Sequence, residues 1–380
     1  MTLTRTDKEL TADDYTITGD LLTIKTAGKY TLSGTASSND FRVKVGDRLV
    51  TTLTIDNLTI NTYRDEKENE AKQGYSPLDF SDAGATTLIL VGKNHLTARI
   101  DNPAVFAPLV AEDNDSAIQL IIRGDGSLVA KGGDNWPGIG NTGSAKIRIE
   151  GGDITAQGGY AAAGIGGSWG FWFDSIVIKG GRVVATGGAW ANNDIGCGYA
   201  PSKKPNHGTN REHMILIDGG VVEAGRIYGQ GSEEDRTKLT HKGGTLIQSG
   251  NRTYMSDVTL DEKVTISSGK TMKIGENATV TIGENGKLEI EKGAKLYVDG
   301  TVQGDITGAI KLGNSEVELT AGQRNEFLIP SAGFSTSSVT LTDFPAGEQT
   351  ENYNCWTVSG LAEGFTRFSS SDNTYSIHAM

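Results

Sequence analysis

The sequence predicts an all-β fold, a parallel β-helix or solenoid that ends in a small C-terminal β domain. A Gly-Ile-Gly or Asp-Ile-Gly motif is centred on Ile139, Ile165 and Ile195, which are 26 and 30 residues apart. This spacing lies in the range of solenoid repeats. Within each period, β-branched residues alternate with period two, which is typical of short strands, and Gly pairs mark sharp corners between them. One period has too little apolar surface to fold alone, so we expect neighbouring coils to bury one another.

A β-propeller is the nearest alternative to this fold. Its blades are built from antiparallel strands and occupy roughly forty residues each. No hairpin turn of the Asn-Gly kind recurs in phase with the repeat in this sequence, although such turns are the strongest short-range hairpin signal. The pattern therefore favours parallel coils over blades.

Four regions follow one another along the chain. Residues 1–40 are expected to form an N-terminal cap and the first coil, because the end of a solenoid exposes strand edges that must be covered. Residues 41–250 are predicted to form looped coils that carry the functional site. Residues 251–316 contain strand patterns of about eight residues that end in Gly without long loops, which indicates plain structural coils. Residues 317–380 lose the repeat and are predicted to form a small β accessory or capping domain.

The extra length of the looped coils falls at the two corners that flank the Ile-centred strand. Insertions on one face of a repeat protein often mark its binding face. The predicted entry loops span 61–76, 99–107 and 186–193, and the predicted exit loops span 167–174 and 199–213.

Composition restricts the partners of the chain. Its 380 residues carry a formal net charge of −12, and the sequence pI is about 5.0, which argues against nucleic acid because phosphate binding needs a basic face. No apolar run is long enough to span a membrane. Met1 is followed directly by a polar segment, so we expect any secretion signal to be absent or removed. The acidic composition, rich in Gly and Thr, predicts a secreted or bacterial cell-surface protein, which we expect to be a monomer.

Cysteine and histidine supply no strong metal site in this sequence. Cys197 and Cys355 are the two cysteines, too few for a disulfide framework or a Cys-rich site. Cys197 is predicted to point into the core as a small apolar filler. A hard cation such as Ca²⁺ is possible at Asp113 and Asp115, but no EF-hand or nonapeptide calcium repeat supports it.

The Ile-centred strands predict a flat, glycine-lined ligand surface. With Ile165 pointing inward, Gly164 and Gly166 should both face solvent, so that a long ligand can approach the backbone. In the next coil Asp194 replaces the outward Gly and should also be exposed. Asp194 is therefore a candidate catalytic carboxylate, together with Asp174 or Asp134. The alternative is that Asp194 caps a backbone amide.

Aromatic residues cluster in the same loops. Counting back five residues from Ile165 and Ile195 gives Tyr160 and Trp190, which should stack on adjacent coils. Aromatic rings beside polar groups suit the faces and rims of sugars, whereas the alternative is a local hydrophobic plug under the loops. We interpret Phe171 and Phe173 as plug residues. The predicted aromatic ligand contacts are Trp136, Tyr160, Trp169, Trp172 and Trp190.

The loop 201–213 concentrates positive charge in an acidic protein. Lys203, His207 and Arg211 are candidate contacts to the carboxylates of an acidic polysaccharide. Together with Lys204, they are also candidates for lyase chemistry. A solvated loop is the alternative explanation.

Several motifs resemble a known group of proteins. They are Gly28-Lys-Tyr-Thr-Leu-Ser-Gly34, the Leu-x-Ile-x-Asn-Leu-Thr-Ile strand pattern and the repeated Gly-Gly-x-Ile-Thr-Ala-x-Gly-Gly with Ala-Gly-Ile-Gly-Gly. They resemble exported bacterial right-handed parallel β-helix proteins described as carbohydrate-binding domain-containing proteins. The likeness to β-helix polysaccharide lyases and pectinase-type hydrolases is looser. The resemblance covers about residues 10–250 and implies a polysaccharide or oligosaccharide ligand.

Two functions remain open from the sequence. The first is polysaccharide binding along the looped face, through Tyr160, Trp172, Trp190 and the glycine surface. The second is an enzyme at the same face, either a lyase or an inverting hydrolase, whose two carboxyl groups stand about 6.5–9.5 Å apart. The chain lacks the pectinase pattern of paired aspartates with a nearby His in consecutive coils, and a fold alone does not fix an activity.

Overall fold

The computed structural model describes most of the first 312 residues and one hairpin near the C-terminus. By contacts, the chain divides into two compact units, Met1–Lys242 and Gly243–Met380. The predicted boundaries near residues 40, 250 and 316 stay predictions. The described residues are 1–62, 75–98, 102–109, 119–142, 145–199, 213–227, 237–291, 294–298, 301–303, 306–308, 311–312, 366–371 and 374–379.

Short strands make up the regular structure of the first unit. Most have two to six residues, bounded by Gly or polar corners that end the alternating pattern. They are β1 (Thr2–Arg5), β2 (Tyr15–Thr18), β3 (Leu21–Ile24), β4 (Gly28–Thr35), β5 (Arg42–Val45), β6 (Thr51–Asn61), β7 (Leu78–Asp79), β8 (Thr86–Val91), β9 (Lys93–Thr97), β10 (Val105–Phe106), β11 (Leu120–Gly124), β12 (Ser127–Lys131), β13 (Ile139–Asn141), β14 (Lys146–Ile149), β15 (Asp153–Gln157), β16 (Ile165–Gly167), β17 (Ser175–Ile178), β18 (Arg182–Thr186), β19 (Ile195–Gly196) and β20 (His213–Ala224).

The remaining strands include β21, whose residues fall on both sides of the boundary between the units. They are β21 (Thr237–Gln248), β22 (Asn251–Tyr254), β23 (Val258–Leu260), β24 (Lys263–Ile266), β25 (Thr271–Ile274), β26 (Thr279–Ile282), β27 (Lys287–Ile290), β28 (Lys295–Val298), β29 (Thr301–Gln303), β30 (Ile306–Gly308), β31 (Lys311–Leu312), β32 (Thr366–Ser371) and β33 (Thr374–Ala379).

The all-β class is confirmed, but the predicted right-handed β-helix solenoid is wrong. The chain forms a closed barrel of ten parallel strands, with a mean radius of 10 Å, together with a mixed sheet. The physical reason is that period-two alternation and Gly corners specify which residues face inward and where strands end. They do not specify how the strands close around the core.

Parallel pairing at intervals of one sequence repeat organises the first unit. One sheet has eight strands in the order β19-β16-β13-β10-β7-β5-β3-β2. Ile139 pairs with Ile165, which pairs with Ile195, so the three motif isoleucines lie in one row. In another row, β11, β14, β17 and β20 pair in parallel. Corresponding residues of successive repeats therefore lie side by side, which places their loops next to one another.

The core of the first unit follows the alternation of the strands. Ile165 is fully buried, as the sequence predicted, and so are Ile147, Ile176 and Ile215 on consecutive strands of the second row. Alternate residues such as Arg148 and Val177 are partly exposed. Parallel rows of β-branched side chains thus fill the interior, since such residues pack well on a pleated surface.

A charged cluster fixes the N-terminal strand. Strand β1 pairs antiparallel with β4, and Arg5 reaches the buried carboxylate of Asp14 with 2.5 Å between Nη1 and Oδ1. Asp14 also accepts hydrogen bonds from the Thr26 hydroxyl at 2.7 Å and the Thr11 backbone N–H at 2.9 Å. These donors satisfy the buried charge, which would otherwise be costly.

This cluster predicts a loss of stability in acid. The hydrogen bonds from Thr26 and then Thr11 hold the pKa of Asp14 well below its ordinary value. A lowered folded-state pKa stabilises the protein above the unfolded-state pKa of about 3.9, and that contribution disappears as pH falls through the folded-state pKa. We therefore expect Asp14→Asn to lower the melting temperature at pH 7 and to have a shrinking effect between about pH 4 and pH 2.

Circular dichroism melts of both proteins across this range test the expectation. Asp7 also has a lowered pKa, of about 2, because Arg5 donates a hydrogen bond to it. Since Asp7 titrates in both proteins, the difference in melting temperature between wild type and Asp14→Asn reports Asp14 alone. A wild-type advantage that stays constant down to pH 2 would contradict the assignment.

The described part of the second unit repeats a shorter parallel pattern. Strands β22, β25, β28 and β31 pair in parallel, and two three-stranded sheets join β23-β26-β29 and β24-β27-β30. Their inward residues are buried, for example Val264, Met272 and Leu288. Of the predicted C-terminal β domain at 317–380, only the antiparallel pair β32–β33 lies within the described residues.

Candidate functional site

The glycines of the Ile-centred strands are buried, so the expected glycine surface for a ligand is wrong. Gly164, Gly166 and Gly196 all lie away from solvent. A Cβ atom on Gly166 would collide with the carbonyl oxygen of Gly196 on the next strand, and the φ angle of Gly166 is +129°. The absence of a side chain therefore permits two backbones to approach closely and does not create a ligand surface.

Asp194 is buried, contrary to the expectation that it faces solvent. Only 5% of the residue is exposed. Its Oδ1 accepts a hydrogen bond from the Gly187 N–H at 2.7 Å, and its Oδ2 accepts one from the Arg226 N–H at 2.8 Å. The Arg226 guanidinium adds a contact of 3.2 Å to Oδ1. Asp194 thus links the start of its own loop to the segment one repeat later. It accepts hydrogen bonds from two backbone N–H groups, which agrees with the alternative that Asp194 caps a backbone amide.

The other two candidate carboxylates differ from each other in their environment. Asp174 is mostly buried, with its carboxylate 3.6 Å from the Lys146 Nζ. Asp134 is exposed at the surface. Among the described residues, no hydrogen bond or ion pair engages its side chain. The structure therefore places Asp174 and Asp194 in ion pairs and leaves Asp134 open to solvent.

Three loops of similar sequence stack on one another at the entry to the Ile-centred strands. They span residues 132–137, 158–163 and 187–193, and each begins with a Gly pair. The N–H of Gly159 donates to the Trp136 carbonyl at 3.0 Å, and the N–H of Gly188 donates to the Ala162 carbonyl at 3.0 Å. A Cβ on Gly159 or Gly188 would collide with the carbonyl of the preceding loop. The second Gly of each pair therefore allows the loops to stack.

This stacking forms an exposed aromatic surface. The rings of Tyr160 and Trp190 lie 5.1 Å apart between centroids and are tilted by 31°. Their backbones are joined by a hydrogen bond of 2.8 Å from the Trp190 N–H to the Tyr160 carbonyl. Tyr160 is 50% exposed and Trp190 57% exposed. Tyr199 extends the group, with its ring 6.0 Å from that of Trp190. We call Tyr160, Trp190 and Tyr199 the aromatic strip.

Two further predicted ligand contacts lie on neighbouring loops. Trp136 is partly buried and packs edge-to-face on Phe106, with 5.7 Å between the ring centroids. Trp169 is exposed, and its backbone N–H donates to the Asn135 backbone carbonyl at 3.0 Å. Trp136 is therefore partly committed to local packing, whereas Trp169 presents an open indole ring.

Trp172 is buried rather than available to a ligand. It is 8% exposed, and its ring stacks on His213 at 4.7 Å between centroids with an interplanar angle of 15°. Phe173 is fully buried and also contacts His213, as the plug interpretation predicted, whereas Phe171 is exposed. The correction for Trp172 has a simple cause. Alternation fails inside a loop, where each ring packs wherever apolar neighbours are available.

Several predicted residues lie outside the described part of the chain. They are Lys203, His207 and Arg211 of the charged loop, and Asp113 and Asp115 of the candidate calcium site. Among the residues that are described, no group of three or more His, Cys, Asp or Glu side chains could hold a metal ion.

Sequence reasoning missed two residues of the site. Arg226 lies 32 residues after Asp194 and was not connected with it, and Tyr199 was assigned to a charged exit loop. The only sequence signal for this contact is that Arg226 follows Asp194 by about one repeat length. Cys197 is buried as predicted, and the side-chain amide of Asn193 donates to its carbonyl at 3.2 Å.

Comparison with known proteins adds no relative. No family model matches the chain, and no curated protein or solved structure gives a significant match. The resemblance to carbohydrate-binding proteins therefore stays a prediction from motifs. In the part of the chain that the structure describes, no helix has the length and apolar character needed to cross a membrane.

Proposed function

We propose that this protein binds a polysaccharide or oligosaccharide through the aromatic strip. The observation that carries the proposal is the contact between the rings of Tyr160 and Trp190, 5.1 Å apart between centroids, with half or more of each residue exposed. Large aromatic residues usually bury most of their surface. A group of them held open on adjacent loops indicates an interaction surface.

The chemistry of the strip suits a sugar. Aromatic faces attract the C–H groups of a pyranose ring, and the polar tips of Tyr and Trp can hydrogen-bond to hydroxyl groups at its rim. The loops stack through backbone hydrogen bonds, for example from the Tyr199 N–H to the Ala161 carbonyl at 2.7 Å. The loop backbones that carry the rings are therefore ordered before binding, which reduces the entropy lost on association.

The carboxylates favour binding over catalysis at this surface. The Asp194 carboxylate accepts three hydrogen bonds and is buried, and Asp174 is paired with Lys146. A general acid or base must be able to reach the reacting group, and neither side chain is open to solvent in the way that Asp134 is. We therefore infer a binding protein. We propose a secreted or cell-surface location, because polymeric glycans occur outside the cell and on its surface.

Alanine variants of the strip test the proposal. After a glycan array has identified a ligand, we expect Trp190→Ala and Tyr160→Ala each to weaken its affinity by about 1–3 kcal/mol, the scale of burying an aromatic side chain. Isothermal titration calorimetry measures the change. A matched control is Ile17→Ala, which removes an exposed apolar side chain on β2, at the opposite edge of the eight-stranded sheet.

The same samples separate binding from turnover. Incubation of the bound glycan with the wild-type protein should leave its length unchanged by chromatography. Cleavage of the glycan would establish an enzyme instead. Unchanged affinity in both strip variants would exclude the aromatic strip as the binding surface.

A further inference from the structure

An exposed carboxylate lies on the loop that stacks on the Tyr160 loop. The N–H of Ala161 donates to the Asp134 carbonyl at 3.3 Å, and the N–H of Trp190 donates to the Tyr160 carbonyl at 2.8 Å. Asp134 and Tyr160 each directly follow the Gly pair of their loops, and Trp190 follows its pair after one extra residue. Three consecutive loops thus each carry one exposed side chain shortly after the Gly pair: a carboxylate, a phenol ring and an indole ring.

The charge of Asp134 is not neutralised by described neighbours. Its side chain is exposed, and no described residue forms a hydrogen bond or ion pair with it. Lys131, the cation closest to it in sequence, is exposed on β12 and forms no ion pair with it. On the other side of the strip, the Arg226 guanidinium contacts Asp194 at 3.2 Å and donates to the Ala191 carbonyl. Among the described residues, these loops therefore combine exposed aromatic rings with one exposed carboxylate, Asp134, that has no partner.

We infer that the ligand is a glycan that carries primary ammonium groups, an amino-sugar polymer rather than a neutral or acidic one. The inference rests on the proposed function and specifies its ligand class. An ammonium group is attracted both by the quadrupole of an aromatic ring and by a carboxylate. A neutral sugar forms only the aromatic contacts, and a uronate in the same place meets the like charge of Asp134 as well as a net charge of −12 on the whole chain,.

The experiment compares two ligands that differ only at nitrogen. The full chain is titrated with a glucosamine hexamer and with the N-acetylglucosamine hexamer at pH 6, where most of the amines are protonated. We expect tighter binding of the glucosamine hexamer. Asp134→Asn should weaken it about two- to five-fold, the scale of an exposed ion pair, and leave the acetylated hexamer unchanged. The matched control is Asp125→Asn, an exposed carboxylate in the turn between β11 and β12.

Salt provides a second readout that a purely structural role of Asp134 would not change. Raising the ionic strength from about 0.05 M to 0.5 M should reduce the preference for glucosamine, because screening weakens exposed charge pairs. Equal affinity for the two hexamers, with Trp190→Ala still weakening both, would overturn the ammonium inference and leave glycan binding intact. Binding of neither hexamer, while a neutral or acidic glycan binds the strip, would also overturn it. Absence of binding to any glycan would remove the proposed function as well.

Discussion

Gly166→Ala is expected to destabilise the first unit by about 2–6 kcal/mol. Overpacking costs about 1–3 kcal/mol, and a strained backbone angle adds about 1–3 kcal/mol. Both terms apply because the φ angle of Gly166 is +129° and a Cβ would collide with the carbonyl oxygen of Gly196. That oxygen belongs to the backbone of the neighbouring strand, so it cannot move without disturbing the pairing of β16 with β19.

Gly170→Ala is the matched control for this experiment. The φ angle of Gly170 is +78°, but a Cβ there would have no atom within 4 Å. Gly170→Ala therefore strains the backbone angle without causing a collision. The difference in free energy of unfolding between Gly166→Ala and Gly170→Ala reports the close approach of the two backbones. Chemical denaturation followed by circular dichroism measures both free energies of unfolding. If the two variants lose equal stability, the strands do not pack as closely at Gly166 as the structure indicates.

Asp194→Ala is expected to cost about 2–4 kcal/mol, because each N–H group left without an acceptor costs about 1–3 kcal/mol. The Arg226 side chain, which is 47% exposed, stays partly hydrated and adds little. The variant leaves the N–H groups of Gly187 and Arg226 without their acceptors and removes the charge that the guanidinium contacts. Asp194→Asn should cost less, because its side-chain oxygen still accepts one of these hydrogen bonds. The exposed Asp125→Ala serves as the control and should change stability by less than about 0.5 kcal/mol.

The Asp194 variants also separate structure from chemistry. If Asp194 serves only to hold the loop, the folded Asp194→Asn variant should bind glycan with nearly the wild-type affinity. Wild-type stability in Asp194→Ala, together with loss of glycan turnover, would instead identify Asp194 as a catalytic residue and contradict the structural role.

The sequence predicted the local structure of the strands better than their closure. Alternation placed Ile165 inside, and it is fully buried. It could not distinguish a solenoid from the ten-strand barrel, because both bury alternate residues of parallel strands. It also assigned Gly164 and Gly166 to solvent, because the outward position of a glycine says nothing about which backbone lies against it.

Within the site, the prediction succeeded where repeats align and failed where the contact is not local. Tyr160 and Trp190 have the same spacing from Ile165 and Ile195, which predicted that they lie on adjacent loops. Their ring centroids are 5.1 Å apart. The burial of Asp194 depends on Arg226, 32 residues later in the chain, which no short motif could reveal. Trp172 was misplaced because its partner His213 lies beyond the intervening loop.

Hydroxyl-radical footprinting of the wild-type protein tests glycan binding at the aromatic strip most directly. The side chains of Tyr160, Trp190 and Tyr199 should be oxidised readily in the free protein and protected at saturating concentrations of the glycan. Exposed Met1, remote in sequence from the loops of the strip, should be oxidised equally in both states. Unchanged oxidation of Tyr160 and Trp190 in the presence of a bound glycan would contradict the assignment of the strip as the binding surface.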